Sequence, residues 1–130
     1  MGAVYKAVHT RIGGNVALKF LSPVFSEQPE TIRRFQQEAI AAARIGHDSI
    51  ISTHDIGVTD QGEHYIVMEY LKGESLGQRL DRLGPLAPDL AAYITCQVLS
   101  GLAAAHESGI VHRDLKPDNI FLVDTGAQLP

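Results

Sequence analysis

The chain has 130 residues, 45% hydrophobic and 20% charged, which suits a globular domain long enough to bury a core. Its net charge of −4, from 15 acidic and 11 basic residues without any Lys/Arg block, argues against a nucleic-acid-binding protein. It has a single cysteine, no apolar run near the ~20 residues of a membrane span, and no signal-peptide layout at its start, so we expect a reducing, cytoplasmic location.

The first half of the chain predicts four strands and one helix. Glycine-rich or polar turns, GGN at residues 13–15 and DQGE at residues 60–63, separate the strands of each pair. Apolar residues recur at helical spacing before Gly46. In chain order, the predicted elements are the strands Val4 to Val8 and Val16 to Phe20, a helix from about Glu30 to Ile45, and the strands Ile50 to Val58 and His64 to Tyr70.

The second half predicts two helices and a short strand, after a hinge at KGES, residues 72–75. A helix from Ser75 to Leu83 is closed by Gly84-Pro85, and a long helix spans Asp89 to Glu107. The long helix is apolar nearly all round, which is typical of a buried helix, so Cys96 within it is expected to be an inert core thiol. Little sequence follows that could bury this helix. The strand is predicted at Ile120 to Val123.

Between the long helix and the last strand lies the charged loop HRDLKPDN, residues 112–119. Asp114 stands between Arg113 and Lys116, and neighbouring cations favour the ionised form of a carboxylate, which can accept a proton. Lys116 suits a phosphate, and the amide oxygen of Asn119 suits a hard cation such as Mg²⁺. A base, a phosphate-binding cation and a metal ligand together suit phosphoryl transfer.

This loop resembles the protein-kinase catalytic loop, H-R-D-L-x-x-x-N, and its Lys-Pro version resembles the Ser/Thr-specific branch. The resemblance implies that Asp114 is the catalytic base, Lys116 contacts the γ-phosphate and Asn119 binds Mg²⁺. His112 and Arg113 would serve as scaffold. The overall pattern is most similar to the bacterial eukaryotic-like Ser/Thr kinases.

Further kinase-like motifs occur in the expected order. VALK, residues 16–19, resembles the strand that supplies the ATP-phosphate lysine, here Lys19, and Glu38 in the first helix would be its partner. The resemblance also implies a nucleotide site, in which Met68 is the gatekeeper, backbone groups of the hinge bind adenine, and either Glu74 or Ser75 lies near the ribose. The implied nucleotide-binding residues are Gly2, Val4, Ala17, Lys19, Met68, Glu69 and Leu71, with Tyr70 also in the hinge.

The resemblance therefore implies an α+β bilobal fold with ATP between the lobes. A small antiparallel sheet with one helix would occupy residues 1–71, lacking its first strand, and the start of a helical large lobe would occupy residues 72–130. The implied reaction transfers the ATP γ-phosphate, with Mg²⁺, to a Ser or Thr hydroxyl of a protein substrate. A membrane anchor could lie outside the segment.

The chain lacks the first two glycines of the phosphate loop and the Asp-Phe-Gly motif. A kinase needs the aspartate of that motif for Mg²⁺, so residues 1–130 are expected to have little activity alone. Two other interpretations are a pseudokinase-like fragment that binds nucleotide or a partner without catalysis, and a fragment that does not fold stably. A third, an aspartic protease with its Asp-Thr-Gly motif at residues 124–126, would require a second such carboxylate.

Overall fold

The structure is a computed structural model that describes residues 4–126. These residues divide into two compact units. The first unit contains residues 4–46 and 50–70, and the second contains residues 47–49 and 71–126. The two units divide between Tyr70 and Leu71, and the assignment of residues 1–71 and 72–130 to two lobes of a kinase domain stays a prediction.

The first unit is a four-stranded antiparallel sheet with one helix, and the order of its strands is β1-β2-β4-β3. The predicted pairs Val4–Val8 with Val16–Phe20, and Ile50–Val58 with His64–Tyr70, both form, with shifts of one to three residues at the ends. The bounds are β1 Val4–Val8, β2 Asn15–Phe20, α1 Pro29–Ala43, β3 Thr53–Val58 and β4 His64–Glu69.

Strand β3 begins three residues later than its apolar pattern predicts. The backbone N–H of Ser52 donates to Oε1 of Glu69 (2.8 Å), and the Glu69 N–H donates to the Ser52 carbonyl (3.0 Å). The register then shifts between Thr53 and Asp55. At this end of the strand, the Glu69 carboxylate accepts the hydrogen bond that a backbone carbonyl would accept in a regular sheet. A pattern of apolar residues cannot predict such a bond.

One face of the sheet is held by aromatic side chains. The ring of Phe20 lies between Tyr5 and Tyr65, with centroids 5.8 and 5.7 Å apart. Directly opposite residues on neighbouring strands share a face, and Phe20 pairs with Tyr65 in the ladder. Helix α1 packs against β3, buries Ala39, and brings Gln36 Nε2 within 3.5 Å of His64 Nδ1.

The second unit contains two helices and a small two-stranded sheet. Its elements are β5 Gly73–Ser75, α2 Leu76–Leu83, α3 Pro88–Glu107, a 3-10 turn at Pro117–Asn119 and β6 Phe121–Val123. Residues 73–75, predicted as part of a hinge, instead form β5, which pairs antiparallel with β6. Ser75 also caps α2: its Oγ accepts from the Gln78 N–H, and Gln78 Oε1 accepts from the Ser75 N–H.

The predicted burial of α3 is wrong for the part of the chain that the structure describes. Only Gly101 and Ala105 of this helix are buried, whereas Tyr93 and Leu99 are 46% and 57% exposed. Cys96 is also exposed, so the expectation of a core thiol is wrong. The reason is that α3 packs closely on no other element of its unit within the described residues. Across residues 4–126, no helix is both long and apolar enough to cross a membrane.

Candidate active site

The loop that follows α3 is organised by short-range hydrogen bonds. Nδ1 of His112 accepts from the backbone N–H of Asp114 (3.2 Å). Arg113 between them has φ = 68°, an uncommon left-handed conformation for a residue other than glycine. Such backbone strain persists where surrounding contacts hold it, and it occurs preferentially at functional sites. This bend turns the chain sharply just before Asp114.

Three of the predicted catalytic residues come together in this loop. Lys116 Nζ lies 3.5 Å from Oδ2 of Asp114, and the Asn119 amide Nδ2 donates to the Asp114 carbonyl (2.7 Å) and to Oδ2 (3.4 Å). The side chains of Asp114 and Lys116 are 57% and 51% exposed. An ion pair this exposed contributes little to the stability of the fold. Its main effect is that the Asp114 carboxylate lies beside the Lys116 ammonium group at a position that solvent can reach.

Asn119 is oriented so that its amide oxygen remains available. Because Nδ2 faces Asp114, Oδ1 faces elsewhere, and among residues 4–126 no hydrogen-bond donor reaches it. Amide and carboxylate oxygens are the ligands that Mg²⁺ uses in proteins. The loop therefore fits a magnesium ion bound in part by Asn119. Across residues 4–126, this loop included, no three His, Cys, Asp or Glu side chains converge in a metal-binding group.

The loop is attached to the rest of its unit at its C-terminal end, through the residues that lead into and out of β6. The Leu76 N–H donates to the Ile120 carbonyl and the Asp124 N–H to the Lys72 carbonyl, each at 2.7 Å. A Cβ added to Gly77 would lie 2.1 Å from Oδ1 of Asp118, so α2 approaches the 3-10 turn as closely as a glycine allows. The motifs do not indicate Gly77, although a glycine inside a short helical pattern is a signal of close packing.

In the first unit, the strand register places four predicted nucleotide-site residues on one sheet face. Val4 lies opposite Lys19, and Ala17 lies opposite Met68. Ala17 and Lys19 are two residues apart on β2, so their side chains point to the same side. Gly2, also predicted for this site, lies outside the described residues.

The predicted partners Lys19 and Glu38 are not brought together. Glu38 is exposed on α1, and within residues 4–126 the ion pairs are Arg82–Glu74 and Lys116–Asp114 only. Lys19 is half-buried in β2. The structure thus shows both residues in their predicted elements without the predicted contact.

The remaining predicted nucleotide-site residues begin at Glu69, the last residue of β4. The Glu69 side chain is engaged by Ser52, whereas the Leu71 peptide groups form no backbone hydrogen bond within the described chain. Of the two alternatives for the ribose, Glu74 accepts two hydrogen bonds from Arg82 (2.5 and 3.3 Å), which lowers the pKa of its carboxyl group. The Ser75 hydroxyl oxygen accepts a hydrogen bond from the Gln78 N–H. The hydroxyl proton of Ser75 can still be donated to another group.

The Asp-Thr-Gly segment forms a local turn after β6. Oδ1 of Asp124 accepts from the Gly126 N–H at 3.0 Å, which is the bond that an Asp side chain makes in an Asx turn. This arrangement accounts for the motif without a catalytic role.

The fold and the loop define a class of protein. The protein kinase domain family model matches residues 1–129 of the chain. The chain therefore belongs to the protein kinase family, which confirms the resemblance of its motifs and its α+β fold.

Within the family, the chain is similar to bacterial serine/threonine-protein kinases. It is 44% identical over 130 residues to Pkn1 of Myxococcus xanthus, covering 100% of this chain and 18% of Pkn1. It is 43% identical to PknA of Mycobacterium tuberculosis, covering 97% of this chain and 30% of PknA. The crystal structure of the Mycobacterium tuberculosis PknI kinase domain superposes with a TM-score of 0.81 at 38% identity, covering 95% of this chain and 51% of that one. The chain thus spans less than a third of these curated relatives and about half of the solved kinase domain.

Proposed function

We propose that the chain forms part of the catalytic domain of a serine/threonine-protein kinase, which transfers the γ-phosphate of ATP to Ser or Thr hydroxyls of a protein. The observation that carries the proposal is the grouping of Asp114, Lys116 and Asn119 on one accessible loop. This grouping combines a base, a phosphate-binding cation and a metal ligand. The matching relatives carry the same activity in their names.

In the proposed reaction, Oδ of Asp114 accepts the proton of the substrate hydroxyl as its oxygen bonds to the γ-phosphorus. The bond from that phosphorus to the bridging oxygen breaks, and its electron pair leaves with ADP. Lys116 neutralises charge on the transferred phosphoryl group. Asn119, through its available Oδ1, would hold Mg²⁺, which supplies charge neutralisation on the phosphates when bound.

The first unit would bind the rest of the nucleotide. Val4, Ala17 and Met68 offer an apolar sheet face for adenine, and Lys19 on the same face would hold the α- and β-phosphates. The backbone groups of Glu69 and Leu71 would bind the adenine edge. The Lys19–Glu38 pair, which is not formed in this structure, would form in the nucleotide-bound state.

ATP and a Ser- or Thr-bearing protein are thus the proposed partners, and we place the reaction in the cytoplasm, where ATP is available and the one cysteine stays reduced. Residues 1–130 contain no Asp-Phe-Gly motif. We therefore expect little transfer from this segment alone, and substantial transfer from a protein that carries it together with that motif.

The test is transfer of labelled γ-phosphate to a protein substrate, with identification of the phosphorylated residue. We expect phosphoserine or phosphothreonine, and near-complete loss of transfer in Lys19→Met. Arg11→Met, which removes an exposed cation from the turn between β1 and β2, is the matched control and should retain activity. Phosphotyrosine as the product, or full activity of Lys19→Met, would contradict the proposal. Efficient turnover by residues 1–130 alone would contradict the expected inactivity of the segment.

A further inference from the structure

A groove of ≈ 500 Å³ lies along the middle of α3, within the second unit. Its walls are the loop at residues 47–49 and the α3 side chains from Tyr93 to Ser100. Small-ligand sites in proteins have volumes of about 300–1,000 Å³, so the groove can take a long side chain with its flanking backbone. No residue of the catalytic loop lines it.

The groove is preformed because His47 fixes the loop to the helix. Nδ1 of His47 accepts from the Ser49 N–H (2.9 Å), so the ring proton resides on Nε2. Nε2 then donates to Oγ of Ser100 (3.1 Å). Both ring nitrogens of His47 therefore hold the loop at residues 47–49 against α3. A ligand would not have to pay the entropy of ordering this loop on binding.

The groove offers groups that select a cation. The Asp48 carboxylate is exposed, and among residues 4–126 it forms no ion pair and no side-chain hydrogen bond. Tyr93, 46% exposed, presents an aromatic ring to the same groove, and Gln97 adds an amide. A guanidinium can bond to a carboxylate through two N–H groups and stack on an aromatic ring, whereas an ammonium matches neither geometry as well. Among residues 4–126, no Lys or Arg lines the groove, so these residues offer no positive charge to bind an anion there.

We propose that this groove binds an arginine side chain of a peptide segment from a partner protein. Asp48 pairs with the guanidinium, and Tyr93 stacks on it. The site lies outside the loop proposed for phosphoryl transfer, so it serves docking rather than chemistry. It therefore stands or falls independently of the proposed kinase activity.

Cys96 gives a direct measurement because it lines the groove and is the only cysteine in the chain. The rate of alkylation of Cys96 by iodoacetamide is measured with and without the peptide acetyl-Gly-Arg-Gly-amide. At millimolar peptide and low salt, we expect several-fold protection, with little protection by acetyl-Gly-Gln-Gly-amide. Added salt should weaken the protection because the pair is exposed.

The variants identify the groups involved. Asp48→Asn should abolish protection, whereas Asp60→Asn, which removes an exposed carboxylate from the β3–β4 turn, should leave it unchanged. Tyr93→Phe should retain most of the protection and Tyr93→Leu should reduce it. Equal protection by the arginine and glutamine peptides, or protection that survives Asp48→Asn, would overturn the proposal. So would the absence of protection by the arginine peptide in the wild-type chain.

Discussion

At the scale of single residues, Asn119 illustrates how one side chain can serve both the loop and a ligand. Its Nδ2 bonds to the Asp114 carbonyl, and this bond leaves Oδ1 exposed for a cation. The motif predicts the residue type, and the hydrogen bond explains why an amide suits the position. A carboxylate at the same place would lack the donor that holds the loop.

We predict that Asn119→Ala raises the Mg²⁺ concentration needed for half-maximal phosphotransfer by at least about tenfold, because a metal ligand is lost. Asn119→Asp should bind Mg²⁺ better than Asn119→Ala, because it keeps an oxygen ligand while losing the donated bond to Asp114. A magnesium titration of the kinase activity measures both. An unchanged magnesium requirement in Asn119→Ala would remove this residue from the metal site.

A second prediction concerns Glu74, whose pKa is lowered from its ordinary value, first by its hydrogen bond with Arg82 and further by the charges of Arg82 and Arg79. A carboxyl group with a lowered folded-state pKa stabilises the fold above its unfolded pKa, and this contribution is lost as the pH falls through the folded pKa. The free energy of unfolding of the wild-type chain should therefore fall more steeply below about pH 4.5 than that of Glu74→Gln. The effect should be small because the pair is exposed.

Urea denaturation of both chains at several pH values between 3 and 7 checks this prediction. Glu27→Gln, which removes an exposed carboxyl group from the loop before α1, is the control and should follow the wild type. Parallel pH profiles for the wild type and Glu74→Gln would show that the pair has no influence on folding.

At the scale of elements, the sequence patterns predicted β6, as a strand at Ile120 to Val123, but neither β5 nor the pairing of β5 with β6. Each strand has only three residues, too few to show an alternating pattern. Their pairing depends on a backbone approach at Gly73, which has φ = 150° and whose added Cβ would lie 2.0 Å from the Leu122 carbonyl oxygen. The larger sheet was predictable because its strands are longer and its turns contain glycine.

We predict that Gly73→Ala destabilises the chain by about 2 kcal/mol, because the new methyl group meets a backbone atom and the φ angle is unfavourable for alanine. Gly46→Ala is the matched control, since it has no neighbour within 4 Å and no positive φ. Its effect should stay within about 0.5 kcal/mol. Equal unfolding free energies for the two variants, measured by urea denaturation, would show that the close approach at Gly73 is not rigid.

At the scale of the whole molecule, the motifs predict a set of candidate site residues, and the structure shows which of these residues lie in contact. Asp114, Lys116 and Asn119 lie within six residues of one another, so local hydrogen bonds suffice to group them. Lys19 and Glu38 lie on different elements, and their contact depends on the position of α1, which a motif cannot specify.

The surface of α3 shows a second limit of prediction from the sequence. An apolar helix is expected to be buried, but burial requires a partner surface, and among residues 4–126 none covers Tyr93, Cys96 or Leu99. The spacing of apolar residues shows which face of a helix can be buried. It does not show whether another part of the chain packs against that face. The chain spans about half of the solved kinase domain that it resembles.

The most direct test of the proposed function is the rate of γ-phosphate transfer by the protein that carries this chain, comparing wild type, Asp114→Asn and Asp118→Asn. A general base contributes about 10²–10⁴-fold to such a rate, so we predict at least a hundredfold loss in Asp114→Asn with unchanged nucleotide affinity. The control is Asp118→Asn, which replaces a carboxylate by an amide four residues after Asp114. This variant should transfer phosphate at nearly the wild-type rate. Near-wild-type transfer by Asp114→Asn would contradict the assignment of this loop as the catalytic centre.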